Sequence, residues 1–341
     1  MDTDTGDAAP QWSDPRWRAE AVEWATGRLA DRGRSVTGEV VQPHVYPWST
    51  VLRLPTAEGP VWFKANGPGT SYEVALLDTL AEWCPDRVLV PIASDTDRGW
   101  LLLPDGGTTL RTAEGGRTDL DRWARVLVEY ADLQRRLASR AEEMVALGVP
   151  DLRPEVLPDR LVELLADESA LRIDQPDGMS SERLAALRAD LPRFSGWCAE
   201  LAATGVPASL QHDDLHDGNI FVPYGGDGPN LVFDWGDASV AHPFTTLLVT
   251  LRVVAHRFEL AGGAPELLRL RDAYLEPWTA EHDRATLLEA SRLAVRTGPV
   301  GRALSWRRSL IGANSVAIAR YGEGVPGWLD DIGSPTVLGT A

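Results

Sequence analysis

Residues 210–238, LQHDDLHDGNIFVPYGGDGPNLVFDWGDA, hold His212, Asp214, His216, Asn219, Asp234 and Asp237 within twenty-nine positions. Two apolar runs, Ile220–Tyr224 and Leu231–Trp235, flank the stretch Gly-Gly-Asp-Gly-Pro-Asn. Apolar, β-branched and aromatic residues on both sides of such a break predict a β-hairpin with a long loop. If Tyr224 lies opposite Leu231, Phe221 lies opposite Asp234. Asn219 and Asp234 then meet at the open end of the hairpin, with Asp214 on the loop feeding the first strand. Oxygen-bearing side chains converge there, and such a set suits a hard cation. Magnesium takes oxygen ligands and needs few protein carboxylates when phosphate and water supply the rest.

An aspartate, an asparagine five positions on, and a further aspartate beyond a hairpin form the layout of a protein-kinase catalytic loop and its metal-binding aspartate. Here the pattern runs His212, Asp214, Leu215, His216, Gly218, Asn219, then Asp234-Trp235-Gly236. In this form the chain resembles the aminoglycoside phosphotransferase and choline kinase-like family. The resemblance extends over nearly the whole chain. It implies an α+β, two-lobed protein-kinase-like fold, with a small β-rich nucleotide-binding lobe over 1–104 and a larger helical catalytic and substrate-binding lobe over 105–341. It also implies phosphoryl transfer that depends on ATP and Mg2+, from ATP to a hydroxyl of a small molecule. Asp214 would be the catalytic residue, Asn219 and Asp234 the metal ligands, and His212 a structural support for the loop. The acceptor could be an aminoglycoside or other antibiotic, or a metabolite such as choline, a sugar or an amino acid; a nucleotide binder without turnover shares the same features.

Other readings stand beside this one. Asp and Asn often cap turns by bonding their own backbone, and Asp217 and Asp227 are expected to do so. His212 and His216 would make one transition-metal face on a helix, as in metal-dependent phosphohydrolases, but a strand pattern follows at once. His216 is therefore expected to be a packed or hydrogen-bonded loop residue.

Upstream, Asp14 and Pro15 open a first helix over 14–31. Strand patterns follow at Glu39–Val45, Ser49–Leu54, Val61–Ala65, Val88–Ala93 and Trp100–Leu103. The loop Tyr46-Pro47-Trp48-Ser49-Thr50 stands where a phosphate-covering loop belongs, yet it has no glycine. Glycines let backbone approach phosphate, so Ser49 and Thr50 are the candidates for that contact, with Trp48 as a lid. Lys64, set in the apolar run Val61–Ala65, matches the kinase lysine of the third strand. Its expected partner is Glu73 on the next helix, Ser71–Trp83. Thr70 and Glu73 also fit a capping box, which is the competing reading of Glu73. Leu103 lies at the expected hinge, Leu102-Leu103-Pro104-Asp105-Gly106-Gly107, where backbone groups would read the adenine edge.

The remainder reads as helical: Thr118–Ala138, Arg160–Leu171, Met179–Pro192, Phe194–Thr204, Thr245–Glu259, Pro265–Trp278, His282–Thr297 and Gly301–Tyr321. Many family members carry an aspartate three residues after the proline that is Pro243 here. Thr246 stands in its place, so another brace is required. The family also implies that C-terminal helices and residues 140–190 wall the acceptor pocket. Asp237, Trp306, Arg307 and Arg308 are placed where they could face it, and no role is read for them.

The formal charge is −17, from 33 Lys and Arg against 50 Asp and Glu. That argues against a nucleic-acid groove, which needs a basic stripe, and is compatible with a cationic acceptor. No apolar run is long enough for a membrane span, and the acidic first ten residues lack the apolar segment of a signal peptide. Cys84 and Cys198 form no metal or disulfide framework, so a cytoplasmic setting is expected. The sequence leaves the oligomeric state open.

Overall fold

The computed structural model describes residues 8–113, 119–223 and 228–339, which divide into two compact units. The first comprises Met1–Gly107, Leu231–Gly236 and Arg308–Tyr321; the second comprises Thr108–Asn230, Asp237–Arg307 and Gly322–Ala341. Expectations placed on Tyr224, Asp227 and Thr118 lie outside the described residues.

The first unit is a helix-covered sheet. Helix α1, Pro15–Ala30, starts where Asp14 accepts the Arg16 N–H at 2.8 Å and Pro15 needs no donor. Ala21, Ala25 and Leu29 recur every fourth residue and are fully buried. They pack with Leu52, Phe63, Trp100 and Leu102 in one core, where Trp24 meets both Phe63 and Trp100 edge-on. Those sheet residues lie on β2 (Ser49–Leu54), β3 (Val61–Asn66) and β5 (Trp100–Pro104). With β1 (Val41–Tyr46) and β4 (Ala93–Asp95) these strands form one antiparallel sheet in the order β1-β2-β3-β5-β4. The fourth strand falls later than the apolar run Val88–Ala93 predicts. Pro91 has no N–H to give a ladder, so pairing begins only after it, with the Ile92 N–H on the Leu102 carbonyl at 2.7 Å. Helix α2, Glu73–Trp83, follows β3.

The second unit is mostly helical. Its core joins Leu161 and Leu164 with Phe194, Cys198, Val300, Ala303 and Leu329. Two predicted breaks are absent. Helix Ser181–Ala203 runs through Pro192, and helix Arg284–Ser309 runs through Pro299. A helical proline forfeits one hydrogen bond and crowds the preceding turn; the leucine, phenylalanine and valine burial on either side outweighs that loss. A small sheet, Asp151–Leu152, Ser239–Ala241 and Ser209–Gln211, sets the base of the 210–238 region. The flanking strands there, Ile220–Phe221 and Leu231–Val232, are shorter than the apolar runs that predict them. No helix among the described residues is long and apolar enough to cross a membrane.

Candidate active site

Strand alternation decides where Lys64 goes. Phe63 and Ala65 turn into the core beneath α1, so Lys64 between them projects from the opposite face of β3. Its Nζ donates to Glu73 Oε2 at 2.5 Å and to Asp234 Oδ1 at 2.6 Å. Lys64 is 8% exposed and Glu73 2%. Burial alone would lower the Lys64 pKa, but the Asp234 and Glu73 carboxylates outweigh it and raise it. Burial raises the Glu73 carboxyl, with the Lys64 charge opposing. Glu73 Oε1 also accepts the Trp235 N–H at 3.0 Å. Glu73 therefore serves as a two-sided clamp, and the capping-box alternative is not realised: the residue capping α2 is Tyr72, with no side-chain cap bond.

Asp234 is half-exposed, at a left-handed φ of +66°, a conformation uncommon for a residue with a side chain. The next two residues hold it there: Trp235 is fastened to Glu73, and the Gly236 carbonyl accepts the Tyr72 hydroxyl at 2.6 Å.

The β1–β2 turn is only two residues long, since Tyr46 pairs with Ser49. Its tip is anchored. The Trp48 carbonyl accepts the Gly67 N–H at 2.6 Å and the Thr70 hydroxyl at 3.1 Å. The Trp48 ring stacks on Tyr46 at 5.1 Å and meets Tyr321 edge-on at 5.1 Å. A Cβ on Gly67 would lie 3.0 Å from the Trp48 carbonyl oxygen, so the glycine missing from the turn stands on the segment that grips it. Ser49 is half-buried beside the turn, whereas the Thr50 hydroxyl is buried and donates to the His44 carbonyl at 2.7 Å. Leu103, half-buried, lies opposite Trp62 near the end of β5.

In the second unit, loop His212–Asn219 leaves strand Ser209–Gln211 and is tied down along its length. His212 is buried; its N–H donates to the Tyr130 hydroxyl at 2.9 Å, and its Nδ1 accepts the Asp214 N–H at 3.3 Å. The Leu215 carbonyl accepts the Thr250 hydroxyl at 2.8 Å. Asp217, expected at a turn, is fully buried instead and ion-pairs with Arg111 at 3.0 Å and Arg257 at 2.8 Å. Its partners come from distant parts of the chain, so local turn logic does not reach them.

Asp214 itself is a quarter exposed and flanked by two donors. His216 Nδ1 accepts the Gly218 N–H at 2.9 Å, so the imidazole proton sits on Nε2, which faces Asp214 Oδ2 at 3.5 Å. Arg302 Nη2 lies 3.4 Å from Asp214 Oδ1. Burial pushes the Asp214 carboxyl up, but the Arg302 guanidinium and His216 overcome it and hold it well below the usual carboxylate range. Asn219 donates through Nδ2 to the Asp214 carbonyl at 3.0 Å, which commits its nitrogen and leaves Oδ1 as the atom suited to a cation.

Asp234 and Asn219 thus offer hard oxygen donors, the chemistry magnesium requires. Among the described residues, no three His, Cys, Asp or Glu side chains gather as a metal site.

Thr246 belongs to a buried polar hub. Thr246 donates to Gln211 Oε1, and Gln134 Nε2 donates to the Leu210 carbonyl at 2.9 Å and to Thr246 at 3.3 Å. The Tyr274 hydroxyl closes the hub on Gln134 and on the Pro243 carbonyl. Sequence reading missed Gln134, Arg111, Arg257 and Arg302. For Arg302 a signal existed: it is a charged residue inside the otherwise uncharged run Val300-Gly301-Arg302-Ala303-Leu304.

The Phosphotransferase enzyme family (APH) matches residues 50–288. No curated protein matches the sequence. Solved structures share the fold at low identity. A Plasmodium vivax ethanolamine kinase gives a TM-score of 0.59 at 12% identity, over 93% of this chain and 89% of that one. A choline/ethanolamine kinase family protein from Mesorhizobium loti gives 0.57 at 14%, over 92% and 95%. A macrolide 2'-phosphotransferase from Brachybacterium faecium gives 0.56 at 17%, over 89% and 98%. With the match covering most of its length, the chain belongs to the Phosphotransferase enzyme family, a small-molecule phosphotransferase with a protein-kinase-like α+β fold.

Proposed function

We propose that the protein transfers the γ-phosphoryl group of ATP to a hydroxyl of a small molecule, with Mg2+ bound beside the nucleotide. The observation that carries this reading is the buried Lys64 held between Glu73 and Asp234. A structural ion pair needs one acid; here the buried acid fixes the lysine, while the half-exposed second acid is open to a cation whose binding would release the ammonium to phosphate. Lys64 holds the α- and β-phosphates, with Glu73 keeping its ammonium in place. Asp234 and Asn219 would each supply an oxygen donor to the metal. Magnesium, when bound, neutralises charge on the phosphate oxygens.

Asp214 orients the acceptor. One carboxylate oxygen accepts the acceptor O–H, aiming the oxygen at the γ-phosphorus. As the new P–O bond forms, the bond from phosphorus to the β–γ bridging oxygen breaks, and ADP leaves. The acceptor proton passes to Asp214 late, because the transition state is loose and needs positioning more than a strong base. That agrees with a carboxyl held well below its usual range. Acceptors to try include ethanolamine, choline and macrolides, on which the similar structures are named as acting, together with aminoglycosides and hydroxylated metabolites.

Equilibrium binding of ATP with and without magnesium tests the nucleotide half. Native protein should bind more tightly with the metal, and Asp234→Asn should lose most of that gain while Asp214→Asn keeps it. Equal magnesium dependence in native protein and Asp234→Asn would remove Asp234 from the metal site.

A further inference from the structure

Arg302 occupies helix Arg284–Ser309, where Val300, Ala303 and Leu304 are buried on either side of it in sequence and Ser305 is buried one turn on. The guanidinium is itself 8% exposed at the side chain. It faces two carboxylates at once. Nη2 lies 3.4 Å from Asp214 Oδ1, and Nη1 lies 3.7 Å from Asp237 Oδ2. The other oxygen of Asp237 accepts the hydroxyl of Ser305, one turn further along the same helix. On its remaining side the guanidinium lies over the Trp328 ring, 5.6 Å from its centroid. The group is therefore set among Asp214, Asp237 and an indole face, with the charge of Asp213 close by.

A buried arginine carries a large desolvation cost unless charge partners offset it. Were Arg302 present only to pair with an acid, a close bidentate bond to Asp237 would be the favourable geometry. The arrangement is different. Nε and Nη1 have no hydrogen-bond partner among the described residues, and the guanidinium charge is shared among Asp214, Asp237 and the neighbouring Asp213 instead of being committed to one close bidentate pair. Its charge fixes Asp214 while leaving the lone pairs of that carboxylate for another donor. His216 Nε2 restrains the second oxygen from the opposite side.

We propose that Arg302 is a positioning residue for the reaction, bridging Asp214 and Asp237 so that the Asp214 carboxylate is presented to the acceptor hydroxyl in one orientation. Asp237 and Ser305 hold the far end of the bridge. The proposal rests on the reading of Asp214 given above. It extends the site to helix Arg284–Ser309, through the contact of Arg302 with Asp214.

A double-mutant cycle on turnover tests it. ADP release from Mg-ATP is followed with whichever of kanamycin, erythromycin, choline or ethanolamine gives the fastest rate, and with water where none exceeds it. Arg302→Gln should lower kcat by about 10–100-fold, in the range expected when a remote change misplaces a reacting group. The KM for Mg-ATP should stay within about twofold, since the nucleotide is held elsewhere. In an Asp214→Asn background the same change should cost less than about threefold, because there is no carboxylate left to aim. Arg302→Lys keeps the charge on one arm and should recover part of the loss. Asp237→Asn, which retains a shape able to accept from Ser305, should lower kcat in the same sense; it and Arg302→Lys decide the matter if Arg302→Gln does not fold. An equal loss from Arg302→Gln in both backgrounds, a rise in KM with kcat unchanged, or full activity in both Arg302→Lys and Asp237→Asn would overturn the proposal. Native turnover in Asp214→Asn would overturn the reading of Asp214, and the bridge with it.

Discussion

Replacing Lys64 by methionine removes the charge from a buried cluster while keeping most of its volume. Glu73, 2% exposed, then has no cation, and the half-exposed Asp234 nearby adds a like charge. At an effective dielectric of about 20, the Lys64–Glu73 attraction at this distance is on the order of 7 kcal/mol gross. The observed loss will be smaller, because Glu73 can escape by taking up a proton. With an unfolded carboxyl near 4.3, protonating it costs about 3.7 kcal/mol at pH 7 and about 1 kcal/mol at pH 5. Those values cap the destabilisation. The sign follows from linkage. Burial already raises the Glu73 carboxyl in the native protein, and loss of Lys64 raises it further. The folded state then binds the proton more tightly than the unfolded state, so stability present at low pH is lost as pH rises through the folded value. Urea unfolding of native protein and Lys64→Met at pH 5 and pH 7 measures this, and the difference between them should grow by about 2–3 kcal/mol over that interval. Adding Glu73→Gln should flatten the dependence. A penalty that is the same at both pH values, or larger at pH 5, would refute the argument.

Two more outcomes follow from buried groups in the other unit. His242 is buried, its Nδ1 accepting the Phe244 N–H at 3.2 Å, and burial pushes its pKa down to about 3 with His282 adding to the effect. Since the unfolded imidazole titrates near 6.5, the unfolded state binds the extra proton, and stability should fall by about 3 kcal/mol between pH 6.5 and pH 4. His242→Asn should be less stable at pH 7 but lose most of that slope; an unchanged slope would show that His242 is not its source. Asp217→Asn should cost about 3 kcal/mol in urea unfolding, because it leaves two arginines facing a neutral group in a buried site. It should also lower turnover more than nucleotide affinity, since Asp217 braces the loop carrying Asp214; loss of nucleotide affinity with turnover intact would contradict that.

What the sequence discloses depends on how local the cause is. Strand alternation around Lys64 and the proline and aspartate at the start of α1 act over a few residues, so both are legible by eye. The loop His212–Asn219 is legible as a motif, because its hydrogen bonds from Asp214 to His212 and from Asn219 to Asp214 close within it. Its supports are not. Asp217 looks like a turn aspartate until Arg111 and Arg257 arrive from remote helices, and Thr246 looks like a missing residue until Gln134 and Gln211 meet it. Pro192 and Pro299 mislead for a related reason: core packing on both sides keeps the helices continuous where backbone preference alone would break them. The phosphate-side turn carries a similar lesson. Its glycine is absent from the turn but present across from it, at Gly67, where only the folded sheet brings the two together.

The most direct test of the account is ADP release from Mg-ATP across a panel of hydroxyl acceptors, with Asp214→Asn as the comparison. The panel would hold aminoglycosides, macrolides, choline, ethanolamine, hexoses and hydroxy amino acids. The account predicts acceptor-dependent ADP release by the native protein that falls by orders of magnitude in Asp214→Asn, with ATP still bound by the variant. Acceptor-dependent release that persists undiminished in Asp214→Asn would contradict it.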